Sequence, residues 1–309
     1  MKAWVAVTDR DWFDFLAAQP AIDEVNFWQP NPWGGRFGVL CRGEPLLFKL
    51  KHPANAIAGG GFFESYSELP LSLAWEAFGI KNGAASLHAA RARIVRLRHE
   101  RVEWYDDFRI GCIILVEPFF WPEALWIPQP ADFAPNIVRG RRYDLTTTVG
   151  SALWREVAER LMGVSQRPDW NAGELAGGYS DPRPVRHRLG QGAFQIGVLD
   201  AYGRQCAITR EKALPALEAA HIKPFSLTAT HDIRNGLLLR SDLHRLFDKG
   251  YLTITPQYIL EASSRMRADF NDGETYMRLH GGQIFVPEQP DLRPDPETLR
   301  WHNDNKFRG

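Results

Sequence analysis

The segment LEAAHIKPFSLTATHDIRNGLLLRSDLHRLFDKG, residues 217–250, constrains the fold more than any other part of the chain. Two short apolar runs, LEAAHI and NGLLL, flank a polar loop, and this pattern predicts a β-hairpin. The run SDLHRLFDKG follows directly, with Ser241 as a candidate N-cap and Gly250 as a candidate stop, so a short helix is expected. The segment therefore predicts the order strand, loop, strand, helix.

Side chains suited to metal binding and proton transfer lie at defined places in this segment. His244 and Asp248 are four residues apart and share one helix face, where an imidazole and a carboxylate can hold one divalent cation. His221 ends the first strand, and an imidazole with a near-neutral pKa can act as a general base toward water. Asn235, where the loop returns, can hydrogen-bond across the hairpin and hold the backbone of His221.

These residues resemble the HNH endonucleases, also called ββα-metal nucleases. The resemblance covers residues 186–250, and the spacings of fourteen residues from His221 to Asn235 and nine from Asn235 to His244 fit the family. It implies hydrolysis of DNA phosphodiesters with one divalent metal such as Mg²⁺ or Mn²⁺. In that family His221 would activate the attacking water, and a metal on His244 and Asp248 would offset phosphate charge. Asn235 would be the structural member of the catalytic motif.

Two positions depart from the family pattern. Many relatives carry a metal-binding Asp or His just before the base, where this chain has Ala220. The metal is then expected to depend on Asp248, on water or on a remote side chain, and Glu218 is a further candidate as a ligand or an outer-sphere residue. Many relatives also bind a structural zinc through CxxC pairs, whereas Cys206 has no such partner, so this zinc is not expected.

Other polar residues near the segment have open interpretations. His231, in the polar loop, and His302, in RWHND, are expected at the surface. A group of basic residues predicts either a path for the DNA backbone or a solvated surface. Its DNA-binding candidates are Arg186, Arg188, Arg204, Arg210 and Lys223.

The first part of the chain has a different pattern. Short apolar runs such as WVAV, RFGVL, EPLLFKL, GFFESY and GCIILVEPFF alternate with Gly and Pro and predict strands, while residues 71–79 and 87–98 predict helices. We therefore expect a compact, mostly β domain at residues 1–148. A helix and linker would follow at 149–187 and the nuclease domain at 188–309, giving an α+β protein.

The stretch FKLKHPANAIAGGGFF within the first domain resembles the PUA-like superfamily, which includes the SRA, EVE and ASCH domains. That resemblance implies a β-barrel with a helical insertion that takes a flipped, modified base into an aromatic pocket. The candidate residues for this pocket lie in an expected Pro/Gly-rich loop and around an expected Gly-rich bend. Each of them could instead belong to the core of the barrel. They are Asn26, Phe27, Trp28, Trp33, Asn55, Phe62 and Phe63. The whole arrangement is similar to modification-dependent (type IV) restriction endonucleases.

Composition limits the remaining choices. The formal net charge is zero, so binding to nucleic acid requires local basic patches. The three cysteines are unclustered, no run of eighteen apolar residues occurs, and the first residues lack the layout of a signal peptide, so a reduced cytoplasmic protein without membrane contact is expected.

Four functions stay open at this point. The first is cleavage of double-stranded DNA carrying 5-methylcytosine or 5-hydroxymethylcytosine. The second is an HNH nuclease or nickase whose first domain reads a plain sequence, a structure or a phosphorothioate backbone. The third is a DNA-binding protein whose metal site is impaired by Ala220, and the fourth is an RNA-binding protein. Cleavage of both DNA strands usually needs two active sites, which leaves a homodimer on DNA open.

Overall fold

The chain divides into two units, Met1–Arg188 and Leu189–Gly309, and each is described by itself. No helix in the part of the chain that the structure describes is long and apolar enough to cross a bilayer. The computed structural model describes residues 1–34, 37–98, 101–165, 190–270 and 272–309.

The first unit is built on a seven-stranded mixed sheet. Its strands are β1 (Lys2–Thr8), β2 (Glu24–Gln29), β3 (Pro45–Leu50), β4 (Ala56–Pro70), β5 (Arg109–Phe120), β6 (Ile127–Pro128) and β7 (Gly140–Asp144). The order is β2-β5-β4-β3-β1-β7, with β6 also paired to β4. The β1–β3 pair is parallel and the other pairs are antiparallel. Because β2 and β7 end this path without pairing with each other among the described residues, the sheet is open where the sequence predicts a barrel.

Four α-helices lie in the described residues of this unit. They are α1 (Arg10–Ala17), α2 (Leu71–Phe78), α3 (Leu87–Leu97) and α4 (Thr148–Ser165). The sequence predicts α2 and α3 within a residue or two, but it misses α1, although Trp12, Phe13 and Leu16 form a buried face of that helix. The strand predicted for RFGVL is wrong, since the described residues 37–40 form a turn.

The prediction of a Pro/Gly-rich loop around Asn26 is wrong, because Asn26 lies in strand β2. Asn26 is fully buried in this strand, and its Nδ2 donates to Oδ1 of Asn82 at 2.9 Å. This bond pairs the amide donor, whereas Oδ1 of Asn26 has no hydrogen-bond partner among the described residues. Phe27 and Trp28 follow it in the strand and are also buried.

The Gly-rich stretch lies inside strand β4 and is not a bend. A Cβ at Gly59 would lie 2.2 Å from the carbonyl oxygen of Phe119, and one at Gly60 would lie 2.7 Å from the carbonyl oxygen of Leu46. Glycine is therefore needed here because the neighbouring strands approach β4 closely.

The second unit contains the predicted hairpin and helix in the predicted order. Its elements are α5 (Gln191–Ala201), β8 (Leu217–His221), α6 (Phe225–Thr228), β9 (Gly236–Arg240), α7 (Ser241–Asp248), β10 (Leu252–Ile254), β11 (Leu260–Ala262), α8 (Arg265–Phe270), α9 (Glu274–Met277) and α10 (Pro296–Asn305). Strands β8 and β9 are antiparallel, with His221 opposite Gly236. Ser241 is the first helical residue and not the cap, which is Arg240. A mixed α+β fold is thus confirmed.

The sequence YMRLHGGQIFVP also predicts a hairpin around Gly281 and Gly282, and this prediction is wrong. The backbone N–H of Gly281 donates to the carbonyl of Leu260, and the N–H of Leu260 donates to the carbonyl of Gly282. The two glycines are therefore bonded to β11, and the residues before them form α9.

Candidate active site

The site is held by the β8–β9 hairpin and helix α7. Leu243 and Phe247 are buried, and α7 contacts both strands. Helix α5 also packs against the hairpin, and at Gly236 a Cβ would lie 2.4 Å from Cγ2 of Val198. Gly236, which follows Asn235 where the loop returns, is therefore also required by helix packing.

A cavity of about 570 Å³ opens beside this frame and collects most of the predicted residues. Gln191, Phe194 and Gln195 of α5 line one wall. The titratable residues on its lining are Glu218, His221, His244, Asp248, His302 and Lys306. The predicted base and the predicted metal ligands thus share one space, although β8 and α7 are separated along the chain.

His244 lies between two carboxylates. Its Nδ1 is 2.6 Å from Oε2 of Glu218, and its Nε2 is 3.4 Å from Oδ2 of Asp248. When Nδ1–H donates to Glu218, Nε2 keeps its lone pair on the side of Asp248. A carboxylate in the position of Glu218 typically orients a metal-binding imidazole and raises its basicity.

A divalent cation fits this donor set only as a partly hydrated ion. Within the described residues, no three His, Cys, Asp or Glu side chains converge as a metal cluster. Nε2 of His244 and the carboxylate of Asp248 offer two donors on one side. Mg²⁺ commonly keeps several waters and takes only one or two protein ligands together with phosphate oxygens.

His221 lies against an aromatic ring at the end of β8. Its imidazole stacks on Phe194, with ring centroids 4.0 Å apart and an interplanar angle of 15°. Desolvation by burial, with smaller contributions from His231 and His244, lowers the pKa of His221 to about 4. The imidazole is therefore neutral near pH 7, which is the form that can accept a proton.

Asn235 does not line the cavity and instead holds the backbone next to His221. Its Oδ1 accepts the N–H of Lys223 at 2.9 Å, and its Nδ2 donates to the carbonyl of Lys223 at 2.8 Å. Its own carbonyl accepts the N–H of Ile222 at 2.9 Å. These bonds fix the direction of the chain just after His221.

The expectation that His231 and His302 lie at the surface is wrong for both residues. His231 is partly buried, and its ring stacks on Phe225 at a centroid distance of 4.2 Å. His302 is 2% exposed, with Nδ1 2.8 Å from Oγ1 of Thr253 and Nε2 3.2 Å from the carbonyl of Phe247. The sequence did not indicate the burial of His231, because the polar loop around it has no periodic pattern. His302 lies on the buried face of α10 together with Leu299, and the three-residue spacing between them is a signal that the sequence does contain.

The basic candidates have local partners in the second unit. Nε of Arg204 is 3.0 Å from Asp200, Arg210 lies over the ring of Phe285, and Nζ of Lys223 lies 5.4 Å from the ring centroid of Trp301. Arg186 and Arg188 lie outside the described residues. Sequence analysis also missed Lys306, which reaches the cavity from the end of α10.

A second cavity, of about 290 Å³, lies within the first unit. Of the seven residues predicted for a modified-base pocket, Phe27 and Trp28 line this cavity, whereas Asn26, Trp33, Asn55, Phe62 and Phe63 are not among its lining residues. Aromatic and charged residues that were not predicted also line it, and they include Trp12, Asp9, Lys51 and Arg139.

The indole groups at this cavity share one hydrogen-bond acceptor. Nε1 of Trp12 and Nε1 of Trp28 donate to the carbonyl of Asn82, at 3.1 and 2.9 Å. Because both N–H groups are satisfied inside the protein, the rings are held in fixed positions.

Comparisons with known proteins give a family for part of the chain. Residues 206–255 match the family described as HNH endonuclease. No curated protein sequence matches the chain. An ASCH protein from Zymomonas mobilis is similar in structure at 9% identity and a TM-score of 0.32, over 50% of this chain and 94% of that one. A point mutant of that ASCH protein gives 9% identity and a TM-score of 0.33, over 50% and 98% of the two chains.

The chain is also similar to the modification-dependent TagI restriction endonuclease. That likeness has 13% identity and a TM-score of 0.28, and it covers 94% of this chain and 78% of the other. The family match at residues 206–255 coincides with the hairpin and helix that carry His221, Asn235 and His244. The second unit of this chain therefore contains an HNH endonuclease domain, and the protein is an endonuclease.

Proposed function

We propose that this endonuclease uses a divalent metal to cut double-stranded DNA that carries a modified base such as 5-methylcytosine or 5-hydroxymethylcytosine. The observation that carries the nuclease half of this proposal is the shared cavity. It places the neutral imidazole of His221 on the same lining as the His244–Asp248 pair.

In this proposal His221 accepts a proton from the attacking water. A neutral imidazole at physiological pH has the lone pair that this step needs. Glu218 orients His244, and Asn235 keeps the chain after His221 in place. Lys306 adds a positive charge to the cavity lining, where it can bind a phosphate oxygen of the substrate.

The metal would be held by His244 and Asp248. When bound, a divalent ion in such a site supplies positive charge that offsets the charge of the phosphodiester and its leaving oxygen. Water molecules and phosphate oxygens would complete the coordination of the ion. The site could then bind a metal although position 220 is an alanine and offers no third protein ligand.

The cavity of the first unit supports the reader half of the proposal. A base taken out of the DNA stack needs aromatic faces and a few polar groups for its edge. Trp12, Phe27 and Trp28 supply the first, and Lys51 and Arg139 supply positive charge for an adjacent phosphate. Base flipping into this cavity, followed by cleavage as a defence against modified DNA, is the resulting function.

Matched plasmids test both halves together. One plasmid is unmodified, one carries 5-methylcytosine and one 5-hydroxymethylcytosine, each incubated with Mg²⁺, Mn²⁺ or EDTA. Cleavage restricted to a modified plasmid and abolished by EDTA is the expected result. Equal cleavage of all plasmids would leave the nuclease and remove the modified-base reader. Cleavage in EDTA would remove the metal from the proposal.

Double-strand cleavage further predicts a homodimer on DNA, because the described residues of one chain form one such site. Sedimentation of the protein with a modified duplex, in Ca²⁺ to prevent cutting, measures this directly.

A further inference from the structure

Two histidines meet in the HNH domain, and only one of them belongs to the predicted motif. His221 ends β8, whereas His231 lies in the loop after α6. Nε2 of His221 is 3.1 Å from Nδ1 of His231. This pair is absent from every prediction made from the sequence, because the loop around His231 has no periodic pattern.

Aromatic stacking fixes both rings. His221 stacks on Phe194 at 4.0 Å and 15°, and His231 stacks on Phe225 at 4.2 Å and 13°. The two imidazoles are tilted by 53° with centroids 5.2 Å apart. Each ring is therefore held in its plane, and the nitrogen–nitrogen contact joins two preorganised side chains.

The hydrogen bond between them has two possible directions. If Nδ1–H of His231 donates, Nε2 of His221 is the acceptor and its lone pair is used in that bond. The neutral ring of His221 then carries its proton on Nδ1 and has no lone pair left for water. If Nε2–H of His221 donates, Nδ1 of His221 is unprotonated. Among the described residues Nδ1 of His221 has no hydrogen-bond partner, so in the second case its lone pair is available to water.

We propose that His231 is a positioning residue that accepts a hydrogen bond from Nε2–H of His221 and thereby makes Nδ1 of His221 the nitrogen that takes the proton from water. This inference rests on the proposed role of His221 as general base. It adds a residue that neither the family match nor the motif assigns. The geometry is analogous to a general base whose tautomer is set by a third group.

The proton balance is simple. A water O–H bond breaks as its proton passes to Nδ1 of His221, and the water oxygen forms a bond to phosphorus. The P–O bond to the leaving oxygen of the DNA strand breaks in the same displacement, and that oxygen takes a proton from solvent. His221 becomes an imidazolium whose Nε2–H still donates to the neutral ring of His231. A charge-assisted hydrogen bond of this kind is stronger than the neutral one.

The other charged and titratable groups around the cavity come from three elements. Glu218 belongs to β8, His244 and Asp248 to α7, and His302 and Lys306 lie on and just after α10. Glu218 and Asp248 are both engaged with His244, so His231 is the hydrogen-bond partner of His221 within the described part of the chain.

The test uses the full chain without metal and reads the proton position directly. Two-dimensional ¹H–¹⁵N spectra of histidine-labelled protein at pH 7.5 distinguish the two neutral tautomers, and His221→Ala assigns the signals of His221. Three variants are compared with wild type. His231→Phe keeps a ring for Phe225 but removes the acceptor, His231→Gln restores an acceptor, and His280→Phe changes a histidine outside the cavity lining.

The expected spectrum of wild type shows His221 neutral with its proton on Nε2. His231→Phe should give a mixture of tautomers, while His231→Gln and His280→Phe should keep the wild-type form. A wild-type proton on Nδ1, or an unchanged tautomer in His231→Phe, would overturn the proposal.

Cleavage of the modified plasmid supplies the second measurement. We expect His231→Phe to lower kcat by about 10- to 100-fold with KM for DNA unchanged, as is typical when the partner of a functional histidine is lost. His231→Gln should recover most of that loss. Unchanged kcat in His231→Phe would overturn the role in cleavage. If wild type cuts no DNA, the proposed function fails, and the spectra still decide whether His231 sets the tautomer.

Discussion

The cavities of the two units are built in opposite ways. In the HNH domain, Glu218, His221, His244 and Asp248 all come from one hairpin and the helix that follows it. In the first unit, the cavity lining is collected from β1, α1, β2, the end of α3 and the segment before β7. A site encoded by one local motif is visible in the sequence, whereas a site assembled from distant segments is not.

The polar groups of the two cavities differ as well. In the HNH domain the imidazoles and carboxylates bind one another, so each group fixes the protonation or orientation of its neighbour. In the first unit the indole N–H groups bind the carbonyl of Asn82, while Lys51 pairs with Asp9. The first arrangement suits proton transfer and metal binding, and the second suits stacking of a flat ligand.

The largest effect is expected for the base of the HNH domain. His221→Ala should lower the cleavage rate by about 10²- to 10⁴-fold, because general-base catalysis contributes that much. Affinity for DNA, measured by fluorescence anisotropy, should stay the same. His88→Ala, a change at an exposed histidine of α3, is the control. Full cleavage by His221→Ala would show that the local motif does not contain the base.

Substitutions of Glu218, His244 and Asp248 should weaken metal binding to different extents. The order of these losses distinguishes a metal ligand from a residue that only orients a ligand. Glu218→Gln should weaken Mn²⁺ binding by about 10-fold, because it removes the charge that orients His244 but no donor to the ion. His244→Ala should weaken binding further, and Asp248→Asn should lie between the two. Isothermal titration calorimetry measures all three. A larger loss for Glu218→Gln than for His244→Ala would make Glu218 the ligand.

The cavity of the first unit, which we propose binds the modified base, gives the next effect, and here the structure and the sequence make different predictions. Trp28→Leu should lower the preference for modified over unmodified plasmid by roughly 5- to 100-fold, since stacking of a base on an aromatic ring contributes about 1–3 kcal/mol. Phe63→Leu should leave that preference unchanged, because Phe63 contacts Phe37 and does not line the cavity. Thermal unfolding of both variants checks that the fold is intact. An effect of Phe63→Leu alone would favour the pocket predicted from sequence.

The smallest expected effect concerns stability against pH in the second unit. Burial lowers the pKa of His302 to about 4, below the ordinary value of 6.5. Between these two values the unfolded chain binds more protons than the folded one, so stability is fully present above pH 6.5 and falls as pH drops toward 4. The loss from His302 should reach up to about 3 kcal/mol.

Urea unfolding at several pH values measures that loss. His302→Gln should flatten the curve, and the slope that remains should come mainly from His221, whose pKa is lowered in the same direction. A slope that His302→Gln leaves unchanged would mean that His302 is not the titrating group.

The sequence predicts elements that depend on residues close together along the chain, and it fails where the deciding contacts join residues that are far apart. The order of β8, β9 and α7 depends on hydrophobic spacing and on neighbours a few residues apart, and the prediction is confirmed. The loop predicted around Asn26 is wrong, and the residue that accepts the hydrogen bond from its Nδ2 inside the protein, Asn82, is 56 positions away. The predicted barrel depends on contacts between the ends of the sheet, and no local pattern reports such contacts.

The sequence by itself determined the order of hairpin and helix in the HNH domain and the positions of His221, Asn235 and His244 on it, because hydrophobic spacing and turn residues along one short segment define those elements. Only the tertiary structure decided the hydrogen-bond partners of those residues. Glu218 turns toward His244, and His231 meets His221, because packing of α7, α5 and the loop after α6 brings their side chains together. Hydrogen bonds act over about 3 Å, and the sequence gives no measure of which residues come within that distance after folding.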